Sequence, residues 1–227
     1  MTSRIINGNP TPQNFSGEDP FYRNMPISKA MDCVSLVEAG RYHRMPSPIA
    51  GAEVSLASLE TAILEKNPMK FVVFLYGGQV PVTIGFEEWL EISKPLQNIS
   101  NSPDEELAAL SESVAAFENL VVRRAGAGVD IGGWPGNVLA QCFPMAQQNC
   151  FQERDTTSQF LFALELAGLL HFHKVGPAVF NSIGNHTANG LIDNESNQKY
   201  VVDTWVNDGG EEPVILPYSL WAEKDWR

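Results

Sequence analysis

Cysteine is scarce in this chain: 227 residues hold three, Cys33, Cys142 and Cys150. An odd and sparse set does not resemble a disulfide framework, and it points to a reducing compartment. Positive charge is also thin, with 15 Lys and Arg against 27 Asp and Glu and a formal charge of −12. Neither half compensates, since the balance is −5 up to Arg124 and −7 after it. Such a surface repels phosphate backbones, so no nucleic-acid partner is expected. No apolar run reaches the length of a membrane span, so none is expected to cross one. The opening stretch MTSRIINGNPTPQNFSGEDPFYRN lacks a basic region followed by an apolar one, so an ordinary signal peptide is not expected. The sequon-like Asn185-His186-Thr187 is accordingly not expected to carry a glycan.

What is present is ordinary for a packed globular protein: 44% hydrophobic and 10% aromatic residues. Apolar spacing predicts a helix over 27–39, built on Ala30, Cys33, Val34 and Val37, and a second over 56–65. Phe71 to Tyr76 reads as a buried strand closed by Gly77-Gly78, Val80 to Ile84 as another strand, and Glu87 to Ile92 as a short helix. Pro103-Asp104-Glu105-Glu106 opens a helix with acids in its first turn, continuing through 107–121. Glycines 126, 128, 132, 133 and 136 form a connector, lacking the strand-to-helix context of a dinucleotide loop. A boundary near it divides an α/β N-terminal cap or recognition region, 1–125, from a C-terminal core, 126–227.

The C-terminal part concentrates the chemistry. A helix is expected from Cys150 to Gly168, with Asn149 as N-cap and Gly168 as C-cap. A cysteine in the first helical turn meets the positive end of the dipole, which favours the nucleophilic thiolate. His186 falls between two expected strands, 178–183 and 187–192. A third, 199–205, carries Asp203 inside an apolar run, with turn residues at 194–197 making a hairpin. Adjacent antiparallel strands would set His186 beside Asp203, and a carboxylate in an apolar strand needs such a partner. Asp203 would orient the imidazole while its other nitrogen takes the thiol proton. Trp205 is expected to pack beneath the histidine strand.

Helix-borne Cys150, strand-borne His186 and Asp203 on the next strand, 36 and then 17 residues apart, follow the order of transglutaminase-like papain-fold enzymes. The text Asn149-Cys150 before a helix, and Tyr200-Val201-Val202-Asp203-Thr204-Trp205 after the histidine, resembles bacterial papain-like toxin and effector domains, among them the deamidase domains of dermonecrotic toxins. The tail from Gly209-Gly210-Glu211-Glu212-Pro213 to Leu220-Trp221 is similar to the ends of such domains. The resemblance runs from about Trp134 onward. It implies an α+β fold, with a nucleophile helix packed on an antiparallel sheet, and acyl transfer through a thioester at Cys150, His186 and Asp203. The outcome would be deamidation, proteolysis or transglutamination of a protein substrate, with no cofactor and no metal. The backbone N–H of Cys150 would supply one oxyanion donor, and Gln141, Gln147 or Gln148 a second. The same resemblance implies a protein made in a bacterial cytoplasm, compatible with delivery into a host or rival cell and with a chaperone or immunity-type inhibitor as partner.

Other readings compete. Asp32-Cys33-Val34-Ser35-Leu36-Val37 superficially resembles the nucleophile segment of NlpC/P60 cell-wall amidases, but His43 lies too close and 71–122 contains no histidine. Cys142 is a further candidate facing the cleft. His171-Phe172-His173 sets two imidazoles on one side of an extended segment, without other ligands at zinc spacing. The fold could also serve as a binding module without catalysis, or as a peptidoglycan amidase or endopeptidase.

Overall fold

The structure, a computed structural model, describes residues 55–75, 78–97, 102–126, 130–133 and 147–226. The helix expected over 27–39, Cys33, His43, Gln141 and Cys142 lie outside them. The described part is α+β with antiparallel sheets. Helix α1, Leu56–Leu64, starts at Ser55, whose hydroxyl accepts the Ser58 N–H. Strands β1, Met69–Leu75, and β2, Gly78–Ile84, form a hairpin with Met69 opposite Ile84. Short helices α2, Phe86–Ile92, and α3, Lys94–Gln97, lead to the long α4, Pro103–Arg124. Its start is the one expected from sequence: Ser102 caps it, Pro103 opens it, and three acids occupy its first turn. Helix α5 covers Cys150–Leu166. A four-stranded sheet follows in the order β3, His173–Asn181; β4, His186–Asp193; β5, Lys199–Asp203; β6, Val214–Pro217. Helix α6, Tyr218–Ala222, lies after β6.

Helix α5 is central, packing on β1 on one side and on β4 on the other. Its apolar residues Phe160, Leu161 and Leu164 are fully buried. Phe160 stacks on Phe117 of α4 at 4.4 Å between centroids, and Phe71 of β1 meets the edge of Phe117 at 5.2 Å. Each such ring contributes roughly 1.5–3 kcal/mol by leaving water. Leu191 and Val202 of the sheet join the same cluster. The core therefore draws on both sides of the boundary expected at 125/126, which does not separate two cores.

Among the described residues the second edge of β1 meets no strand, and buried backbone groups there require other partners. Polar side chains supply them. Gln159 accepts from the Val72 N–H at 2.9 Å and donates to the Val72 carbonyl at 2.8 Å. Thr156 accepts from the Phe74 N–H at 3.1 Å, and Gln148 donates to the Phe74 carbonyl at 2.7 Å. These bonds fix α5, and the cysteine at its start, in axial register with the hairpin.

The sheet departs from expectation at its margins. Strand β3 begins at His173 rather than 178 and ends at Asn181, with a register shift between Gly176 and Val179. His186 is the first residue of β4, not a loop residue. Strand β5 stops at Asp203, so Trp205 stands in the turn beyond it. Strand β6 adds to the strands expected from sequence; Val214 to Pro217 is short and only half-buried, so it lacks a marked apolar pattern.

Candidate active site

The start of α5 is written locally in the sequence. Asn149 accepts from the N–H groups of Phe151 and Gln152, and the Gln152 side-chain oxygen in turn accepts the Asn149 N–H at 2.8 Å. This reciprocal cap fixes where the helix begins, so Cys150 is its first residue. The cap uses the N–H groups of residues 151 and 152 and not that of Cys150. The thiol-bearing residue is buried, at 8% exposure.

Hairpin register brings the other two residues together. Asn189 of β4 lies opposite Val202 of β5, and continuing that register sets Asp203 opposite Ala188. His186 is two residues from Ala188 and so on the same face, a diagonal neighbour within reach of a long side chain. The bond is made: His186 Nε2 lies 2.7 Å from Asp203 Oδ2, with both residues 1% exposed. Cys150 also lies within interaction range of this ring. The remaining nitrogen, Nδ1, is buried without a hydrogen-bond partner. Burial opposes the imidazolium, yet the hydrogen bond and charge of Asp203, with Cys150 close by, outweigh it, raising His186 to about 9.

Aromatic rings enclose this pair. Trp205 lies 4.7 Å from the imidazole centroid, Trp221 at 5.5 Å and Trp226 at 5.9 Å. Trp221 does more than pack, for its indole N–H donates to Asp203 Oδ2 at 2.7 Å. The loop after Asp203 is fastened to residues 130–133: the Gly133 N–H donates to the Trp205 carbonyl at 2.5 Å, and the Gly209 N–H to the Asp130 carbonyl at 3.1 Å. Gly132 permits this approach, since a Cβ there would fall 2.0 Å from the Asn207 carbonyl oxygen.

A layer of buried carboxyls lies close by. Burial, reinforced by the Asp203 charge, raises Glu118 to about 7, although hydrogen bonds from Thr157, Thr204 and the Gly210 backbone oppose it. Glu153 is pushed well above the usual carboxylate range by burial and by the charges of Asp130, Glu118 and Asp203. Burial also raises Asp130, against the N–H of Gln148 at 3.0 Å. Nothing in the local sequence marked these acids, which converge from α4, the 130–133 segment and α5.

The second oxyanion donor expected among Gln141, Gln147 and Gln148 requires correction at Gln148. Its amide is already spent on the Phe74 carbonyl and, at 3.0 Å, on Thr156 Oγ1. Gln147 uses its side-chain oxygen to accept the Ile131 N–H at 3.1 Å. The His171-Phe172-His173 pair resolves differently from a metal site. His173 is buried, with Nδ1 2.9 Å from Glu106 Oε1, while His171 is exposed. Glu106 also accepts the backbone N–H groups of His171, Phe172 and His173. Among the described residues no group of three or more His, Cys, Asp and Glu is arranged to hold a metal ion.

No family model, curated protein or solved structure matches this chain. The site's own geometry therefore carries the functional reading.

Proposed function

We propose that the chain is a cysteine-dependent acyl-transfer enzyme with a papain-like, transglutaminase-like core, and that Cys150, His186 and Asp203 perform the reaction. The observation that carries this reading is a buried imidazole whose Nε2 is held 2.7 Å from a buried carboxylate, with a buried helix-first cysteine near the same ring. Cys150 Sγ attacks a carboxamide or peptide carbonyl carbon, and the backbone N–H of Cys150 supports the oxygen that becomes negative. His186, protonated at neutral pH, gives its proton to the departing ammonia or amine, leaving a thioester and neutral imidazole. The imidazole then takes a proton from water, whose oxygen attacks the thioester carbon and releases a carboxylic acid. An amine in place of water would complete a transglutamination. Asp203 keeps Nε2 engaged through both steps, so the reacting proton stays on Nδ1.

A protein substrate suits this chemistry, and a bacterial effector or toxin that deamidates or cleaves its target is the biological role proposed. The test is to incubate the full chain with bacterial and animal-cell lysates and map glutamine-to-glutamate conversions and new amino termini by mass spectrometry. Modifications present with the wild type and missing with Cys150→Ser support the reading. Identical modification by both proteins contradicts it.

A further inference from the structure

Asp203 Oδ2 holds two donors, while Oδ1 is buried with no partner. The donors are His186 Nε2 and the Trp221 indole N–H, each at 2.7 Å. Trp221 is fully buried, where an indole N–H usually requires an acceptor. A phenylalanine would fill most of the same space without making the bond. The indole thus selects which carboxylate oxygen faces the histidine and stabilises the charge on it.

Its own position is set from the histidine side of the sheet. Asn181, paired with His186 across β3 and β4, donates from its amide to the carbonyls of Trp221, Ala222 and Lys224 at 3.1–3.3 Å. Its side-chain oxygen accepts the N–H groups of Ile183 and Gly184 at the start of the β3–β4 turn. Trp226 donates to the Trp221 carbonyl at 3.0 Å and packs against Gly184. One asparagine therefore ties α6 to the strand end that presents His186.

We infer that Trp221 is a positioning residue for the thiol site, acting through Asp203 on His186, with Asn181 and Trp226 fixing the helix that carries it. This inference rests on the acyl-transfer reading for its purpose, but its physical content is the Trp221–Asp203–His186 linkage. With the indole absent, the carboxylate keeps one donor, is free to turn away from Nε2 and supports the imidazolium less well.

The experiment is an NMR titration of the His186 ring in the full chain and in Trp221→Phe, alongside the pH–rate profile of Cys150 alkylation. The expected result is a lower His186 midpoint, because a carboxylate no longer pinned at Oδ2 turns from Nε2 and gives up part of its interaction with the imidazolium. The alkaline limb of the alkylation profile should move with it. An unchanged midpoint in a folded Trp221→Phe protein overturns the inference. If that variant does not fold, the Trp221 indole proton in the wild type must change frequency in Asp203→Asn, and an unmoved resonance refutes the linkage. A wild-type Cys150 that fails to react, with the His186 midpoint still displaced in Trp221→Phe, would refute the thiol chemistry and leave the linkage standing.

Discussion

Replacing Asp203 with asparagine preserves shape and removes one buried charge, so its effect follows from the histidine it supports. His186 is raised from 6.5 to about 9, and Asp203 contributes both a hydrogen bond and a charge to that rise. A group whose pKa rises on folding stabilises the fold fully below its unfolded value, here 6.5. That stability is lost as pH climbs through the folded value near 9. The difference corresponds to about 3 kcal/mol. In Asp203→Asn burial still disfavours the imidazolium, and most of this stabilisation should vanish. The variant should therefore be less stable than wild type by about 3 kcal/mol at pH 6, with the gap closing toward pH 9–10. Removing the Asp203 charge also relieves Glu118 and Glu153, which narrows the gap further at high pH. Urea unfolding followed by tryptophan fluorescence at several pH values is the assay. For a chain of this size the pH 6 difference is a midpoint shift of roughly 1 M. Stability curves for the two proteins that run parallel from pH 6 to pH 10 would refute the coupling.

Other outcomes follow from the same structure. Glu118→Gln should gain stability relative to wild type above pH 7, by on the order of 2–3 kcal/mol. Folding raises this acid from 4.5 to about 7, so its unfavourable contribution grows between those values; urea midpoints at pH 4.5 and pH 8 measure it. Glu106→Gln should cost about 3 kcal/mol at pH 7, since an amide nitrogen cannot replace a carboxylate oxygen facing backbone N–H groups. Its carboxyl is lowered by the His173 and backbone hydrogen bonds, which outweigh burial. That contribution is present above pH 4.5 and fades as the medium becomes more acidic, so the variant and wild type should converge under acid. Gly132→Ala should lower the thermal midpoint and slow Cys150 alkylation, because the Asn207 backbone would have to move away from residues 130–133.

The parts of this site legible from sequence were those with local causes. Asn149 and Gln152 stand three residues apart and define the helix start, which places Cys150 at a helix N-terminus. Asp203 interrupts Tyr200-Val201-Val202, and a hairpin turn precedes it, so its pairing with His186 followed from strand periodicity. What stayed hidden depends on contacts across long sequence distances. Trp221 reaches Asp203 from a five-residue helix whose place is set by Asn181, 40 residues earlier. Glu106 meets His173 across 67 residues, and the periodicity of α4 marks Glu106 only as an acid of the first turn. Gln148 reads as available for an oxyanion, yet the buried, strand-free edge of β1 claims it. The apparent boundary near residue 125 followed a glycine-rich stretch, whereas Phe117, Phe160 and Phe71 pack into one core.

The thiol site is tested most directly by the rate of iodoacetamide alkylation at Cys150 as a function of pH, in wild type and His186→Ala, with sites assigned by mass spectrometry. Cys150 should react faster than Cys33 and Cys142 below pH 7 and lose that advantage without His186. An inert Cys150, or one whose rate is indifferent to His186, would contradict the proposed thiol site.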